Sequence, residues 1–243
     1  MLHQSQILVI EDDPLTRELI TDVFTHDPYQ LSLAATGAEG LALYEAHSPD
    51  LVACDIHLPD LLGLDICRHI KQKNPAQLFV FLTGATGLTD QVVGLELGAD
   101  DYITKPLRIE IFRARVRALL RRLEVLRASS GSRQTLGTET QGHQRLIFGA
   151  LTLDLMAYQA FLEGNRVTLT HKEFELLAWL AAHPGQLFTR QHLLDQVWQD
   201  SLEVSERSVD ALIRRLRDKL GEDIEHPRYI ETVRGMGYRF KAE

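Results

Sequence analysis

Fully apolar runs and amphipathic stretches alternate along the first half of the chain. ILVI (7–10), LVAC (51–54) and LFVFL (78–82) are apolar at every position; DYIT (101–104) is weaker, and YQLSLAA (29–35) is a further candidate. Between them apolar residues recur at helical spacing, as at Leu15, Leu19, Ile20 and Val23. Strands that are apolar on both faces and alternate with helices predict a parallel sheet covered on both sides.

From Leu146 the pattern changes. Short strands, including AFLEGNRVTLT (160–170) with a turn around Gly164-Asn165, precede three helices. The first follows Thr170 and Glu173 in capping-box spacing and stops at Pro184-Gly185. The second, RQHLLDQVW, follows Thr189, and the third runs from Ser205 to Gly221. In the third, Val209, Ile213, Leu216 and Leu220 form one apolar stripe. Arg207, Ala211 and Arg214 lie opposite, with Arg215 to one side. YIETVRGMGYRF (229–240) closes the chain as two strands around a glycine turn, with Arg234 at its tip.

The 243 residues suit two domains of ordinary size. Residues 125–144, rich in Ser, Gly, Thr and Gln and free of aromatics, are expected to form a flexible linker. This gives domains at 1–124 and 145–243. Charge divides at the same place. Residues 1–124 carry 11 Lys+Arg against 18 Asp+Glu, a net of −7; the remainder carries 15 against 16, a net of −1. Such asymmetry suggests two jobs. No apolar run approaches the roughly 20 residues of a membrane span, and the N-terminus lacks signal-peptide features. With only Cys54 and Cys67, in no ligand spacing, a cytoplasmic protein with no membrane partner is expected.

In open α/β sheets ligands bind beyond the carboxyl ends of the strands. ILVI is followed by Glu11, Asp12 and Asp13, and LVAC by Asp55. LFVFL runs into Thr83, and DYIT into Lys105 and Pro106. Crowded carboxylates repel unless a cation holds them, and a hard divalent ion such as Mg²⁺ suits oxygen donors. Asp55 can then act as a nucleophile toward a phosphoryl group, with Mg²⁺, Thr83 and Lys105 neutralising its oxygens. A dehalogenase-like phosphatase also uses an aspartyl phosphate, but carries a second Asp two residues on, where this chain has His57. Nucleotide sites are disfavoured by the absence of G-x-G-x-x-G and P-loop motifs.

EDD (11–13), Asp55 to Pro59, Gly63, Thr83 and GADDYITKP (98–106) make residues 5–122 resemble the receiver domain of a bacterial two-component response regulator. The resemblance implies Asp55 as phosphoacceptor, with Mg²⁺ held by Glu11, Asp12, Asp55 and the backbone carbonyl of His57. It implies Thr83 and Tyr102 as a switch pair and a cis Lys105–Pro106 bond. His57 and Gly84 depart from the residues more usual at those places.

RSVDALIRRLRDKL and YIETVRGMGYRF make residues 146–241 resemble the winged-helix effector domain of the OmpR/PhoB family. The expected fold is a doubly wound five-stranded parallel sheet followed by an α+β winged helix-turn-helix domain. DNA contacts are implied for Arg207, Ser208, Arg214, Arg215, Thr232 and Arg234. Leu212, where the family often has His, is expected to extend the core stripe. The resemblance further implies a homodimer through the last two helices and last strand of the receiver. Glu96 would pair with Arg117, and Asp101 with Arg115, across its two-fold axis. The expected function is phosphorylation-dependent transcription regulation and not enzymatic turnover. A sensor histidine kinase, double-stranded promoter DNA and RNA polymerase would be partners. A regulator of the same fold that works without phosphorylation is the alternative.

Overall fold

The computed structural model describes residues 4–84, 97–131, 145–198 and 206–241. Two compact units divide the chain at Arg122/Leu123.

In the first unit β1 (Ser5–Ile10), α1 (Pro14–Phe24), β2 (Tyr29–Ala34), α2 (Gly37–His47) and β3 (Leu51–Asp55) follow one another. Next come α3 (Gly63–Lys73), β4 (Leu78–Gly84), β5 (Asp101–Lys105) and α4 (Ile109–Gly131). All strand pairs are parallel, in the order β2-β1-β3-β4-β5. Every residue of β3 and the first six of β4 are buried, as expected for strands covered on both faces. The strand order reverses between β1 and β3, so their carboxyl ends open the crevice where such sheets bind ligands.

Helix α4 continues to Gly131, so 125–131, expected as linker, is helical. VLRAS contains no proline, and serine lowers helix propensity by less than about 1 kcal/mol, so composition alone did not mark the helix end. Residues 132–144 lie outside the described residues.

One glycine position is set by its neighbours. Gly63 opens α3, and its N–H donates to the Ile56 carbonyl (2.8 Å). A Cβ there would sit 2.1 Å from the Asp55 backbone oxygen. Only glycine lets the start of α3 lie against the end of β3.

The second unit begins with an antiparallel four-stranded sheet of β6 (Arg145–Phe148), β7 (Leu151–Asp154), β8 (Gln159–Leu162) and β9 (Asn165–Val167). Leu162 pairs with Asn165, so the tight turn is Glu163-Gly164, one residue earlier than expected. Both turn residues have positive φ, which a two-residue hairpin of matching twist requires. Then follow α5 (His171–Ala182), β10 (Leu187–Thr189), α6 (Arg190–Val197), α7 (Glu206–Leu220), β11 (Ile230–Val233) and β12 (Gly237–Phe240). The last three strands form a sheet in the order β10-β12-β11. Thr170 and Glu173 form the predicted capping box. Val209, Ile213, Leu216 and Leu220 are all buried. This is a winged helix-turn-helix, with β11 and β12 as the wing.

Gly63→Ala should destabilise the first unit by about 1–3 kcal/mol, the usual cost of forcing atoms into filled space. Urea unfolding of the full chain, followed by circular dichroism, measures this; an unchanged midpoint would contradict the packing described.

Candidate functional site: an acidic pocket and an arginine face

The registers put Asp55 opposite Leu82 and Gly84 opposite Lys105, so Asp55, Thr83 and Lys105 end three adjacent strands on one edge. Glu11 leaves β1 at the same edge. Glu11 and Asp55 are buried, while Asp12 is exposed. One carboxylate oxygen from each lies within 4.8 Å of the others. Lys105 Nζ is 2.7 Å from Glu11 Oε2 and also meets Asp55 Oδ2. Asp55 Oδ1 accepts the His57 backbone N–H (3.0 Å). The buried Thr83 donates its hydroxyl proton to the Gly84 carbonyl (3.2 Å). The Lys105–Pro106 bond is cis.

Burial raises the Glu11 carboxyl above its ordinary range; Lys105 opposes this and the Asp55 charge adds to it. Burial alone would lower Lys105, but hydrogen bonds to Asp55 and Glu11 outweigh it and hold the ammonium above its usual value. The pocket is thus short of positive charge.

Asp13, the third carboxylate of EDD, is used elsewhere. It caps α1, accepting the Thr16 N–H (2.9 Å) and hydroxyl (2.6 Å). A residue that sequence reading passed over takes part: Arg17 Nη1 donates to the carbonyls of Glu11 (2.5 Å) and Asp12 (2.8 Å), tying the acidic turn to α1. Lys71 was also missed. It is buried with Asp100 (2.9 Å), which also accepts the Phe79 N–H (2.8 Å). The signal was a lysine on the buried stripe of Ile66, Cys67 and Ile70.

Tyr102 is buried, its ring 5.1 Å from that of Phe81. Two arginines expected at a two-fold interface have partners within the chain. Arg115 Nη1 reaches Asp101 (3.2 Å) and the Tyr102 carbonyl (2.7 Å). Arg117 and Arg113 both pair with Asp27, whose carboxyl is drawn down to about 2, chiefly by Arg113. Asp27 lies between α1 and β2, far along the sequence from both arginines. Glu96 lies outside the described residues.

In the second unit, Arg207 and Arg214 are exposed on α7, and Arg234 is exposed at the wing tip. Two residues expected to contact DNA are buried or paired within the unit. Ser208 is buried on the inward side of α7, where Leu212 extends the apolar stripe as expected. Arg215 donates to Glu173 (3.0 Å). Thr232 is half-buried and accepts from the buried Arg217 (2.7 Å), which also bonds the Ile230 carbonyl. Asp210 shares the exposed face of α7; it accepts Arg190 Nε (2.7 Å) and the Tyr238 hydroxyl (2.6 Å). Burial, helped by Asp210, pushes Tyr238 up to about 12.

Glu173 holds the recognition helix. Beyond its place in the capping box, it accepts Arg215 and Lys219 (2.6 Å) from successive turns of α7. Burial acts to raise its carboxyl, but Lys219, the Thr170 amide and Arg215 outweigh it and hold it below the ordinary value.

A cation-ready carboxylate pocket and a winged helix with exposed arginines, carried on one chain, define a two-part signalling regulator. Family models agree. Residues 7–117 match the response regulator receiver domain, and residues 164–240 match the C-terminal domain of transcriptional regulatory proteins. The alkaline phosphatase synthesis transcriptional regulatory protein PhoP of Bacillus subtilis is 36% identical over 236 residues, 97% of this chain and 96% of that one. The DNA-binding response regulator MtrA of Mycolicibacterium smegmatis has the same identity and coverage. The crystal structure of DrrB, an OmpR/PhoB homologue from Thermotoga maritima, covers 98% of this chain and 100% of its own at 34% identity, with a TM-score of 0.50. The chain belongs to the OmpR/PhoB family of response regulators and is a phosphorylatable transcriptional regulator. A kinase partner and DNA binding follow from its two domains. Among the described residues no helix is long and apolar enough to cross a membrane.

The lowered Glu173 carboxyl has a definite pH consequence. Its contribution is fully present above its ordinary value of 4.5 and is lost as pH falls through the lower folded value. Glu173→Gln should cost the second unit about 1–3 kcal/mol at pH 7, and the gap to the native chain should narrow from pH 5 toward pH 3 by about the same order. Urea unfolding followed by the fluorescence of Trp179 and Trp198 reports it; a gap that is constant with pH would contradict the ion-pair account.

Proposed function

We propose that Asp55 accepts a phosphoryl group from the phosphohistidine of a sensor kinase. A carboxylate oxygen of Asp55 attacks phosphorus, the phosphorus–nitrogen bond of the donor breaks, and an acyl phosphate forms while the donor histidine is released. Glu11, Asp12, Asp55 and the His57 backbone carbonyl would hold Mg²⁺. These are hard oxygen donors, and their charge exceeds that of the single ammonium present, a set that fits the ion. Bound there, Mg²⁺ supplies charge neutralisation for the phosphoryl oxygens. Lys105 already spans Glu11 and Asp55 and is placed to follow a new anion on Asp55; Thr83 offers its hydroxyl to another phosphoryl oxygen. The observation that carries this reading is the convergence of Glu11, Asp12, Asp55 and Lys105 at one sheet edge.

Thr83 and Tyr102 then act as the switch, favouring a homodimer through the α4–β5 side. Magnitudes indicate where the drive originates. Moving a population from 1:99 to 99:1 takes about 5.5 kcal/mol of differential binding. Exposed ion pairs contribute ~0–1 kcal/mol each, and Arg115 and Arg117 already have partners within the chain. A dimer that re-pairs them gains little from charge alone. Charge-assisted hydrogen bonds to the phosphoryl group, at about 1.5–3 kcal/mol each, are the larger source.

The dimer places two α7 helices on paired half-sites of promoter DNA. Arg207 and Arg214 serve phosphates or guanine edges, Thr232 a phosphate, and Arg234 the adjacent minor groove. RNA polymerase is a further partner of the DNA-bound form, and the cytoplasm is the compartment where these partners meet. Sedimentation velocity with acetyl phosphate and Mg²⁺ tests the scheme. The native chain should shift to dimer and bind duplex DNA more tightly, while Asp55→Asn should do neither. Equal behaviour of the two chains would contradict it.

A further inference from the structure

The chain between β3 and α3, residues 56–62, forms a loop closed twice at its base. The Gly63 N–H donates to the Ile56 carbonyl (2.8 Å), and His57 bridges to Leu62. At its tip Asp60 leaves the loop for the start of α2. Its Oδ1 accepts the Gly37 N–H (2.7 Å) and its Oδ2 the Ala38 N–H (2.8 Å). The next two amides of α2 are satisfied locally: Glu39 N–H by the Thr36 hydroxyl (3.2 Å) and Gly40 N–H by the Thr36 carbonyl (3.0 Å). The helix therefore has its own cap in Thr36, and Asp60 adds two bonds from more than twenty residues away. Leu61 follows it in. A Cβ on Gly37 would lie 2.8 Å from Leu61 Cβ, so the loop rests on the first turn of α2.

The same loop supplies the group that aims the acceptor. The His57 N–H holds Asp55 Oδ1 at 3.0 Å, while Oδ2 faces Lys105. We propose that Asp60 is a positioning residue for phosphoryl transfer. By fastening loop 56–62 to the N-terminus of α2, it fixes the His57 amide that orients the Asp55 carboxylate. This rests on the reading of Asp55 as phosphoacceptor and deepens it. Displacements well under the length of a bond matter to an in-line attack; the base ties join His57 to Leu62 within the loop, and Asp60 anchors that loop to α2. Neither end of the clamp belongs to the reacting set, so the clamp acts through geometry and not through charge on the phosphoryl group.

The test follows the initial rate of phosphoryl-adduct formation by intact mass, over a range of Mg²⁺ concentrations with saturating acetyl phosphate. Native chain, Asp60→Asn and Asp60→Ala are compared, and melting temperatures are recorded in parallel. Asp60 is exposed, so shortening it leaves no cavity. Asp60→Ala should lower the maximal rate about tenfold, the usual scale for losing an outer support of a reacting group. Asp60→Asn, which keeps one acceptor oxygen, should fall between. Gly37→Ala, which presses on Leu61 while leaving the Asp60 carboxylate intact, should also slow the reaction. A native rate in Asp60→Ala, or a deficit that vanishes at temperatures where every variant is fully folded, would overturn the proposal. Absence of any adduct on the native chain would instead overturn the reading of Asp55.

Discussion

One ammonium serves two buried carboxylates at the edge of the parallel sheet. Lys105 contacts both Glu11 and Asp55, and burying either anion without it would cost several kcal/mol (about 3–5 for breaking such a pair). The backbone is arranged around that requirement. Strands β1 and β3 end level in their register, β5 runs two residues beyond Ile103, which is level with Asp55, to bring in Lys105, and Gly63 must lack a side chain so that α3 can begin against Asp55. A site short of positive charge is stable enough to fold, yet it still favours binding more cation. The same shortage that strains the pocket defines its chemistry.

The second unit solves a related problem. Glu173 is buried at the start of α5, where the helix dipole and capping box favour a carboxylate, and Arg215 and Lys219 reach it from α7. The recognition helix is thus held by charge as well as by its apolar stripe. Arg215 is thereby committed to the fold, leaving Arg207 and Arg214 as the exposed cations of α7. Asp210, held by Arg190 and Tyr238, joins α6, α7 and the wing. The weak net charge of this half fits such internal pairing. Cations spent on structure do not add to nonspecific DNA affinity.

Much of this was legible in the sequence because burial on both faces leaves uninterrupted apolar runs, and because Asp55, Thr83 and Lys105 stand directly at the ends of those runs. The capping box of Thr170 and Glu173 and the stripe on α7 were legible for the same local reason. What was not legible depends on contacts distant in sequence. Asp27 meets Arg113 and Arg117 from 86 and 90 residues away, and no local pattern indicates it. Ser208 is named as a DNA contact by resemblance alone, yet it lies on the buried face of α7, which Leu212 extends as expected. Asp13 follows the same strand end as Glu11 and Asp12, but Pro14 at the first helical position marks it as a cap. Arg215 and Lys219 stand four apart, a spacing that could have suggested a shared partner.

Locating the modified residue tests the central claim most directly. After treatment with Mg²⁺ and acetyl phosphate, borohydride reduces an acyl phosphate to an alcohol, converting aspartate to homoserine. Peptide mapping then reads its position. The account predicts homoserine at Asp55 and nowhere else. Conversion at Asp12 or Asp13 with Asp55 intact would contradict it.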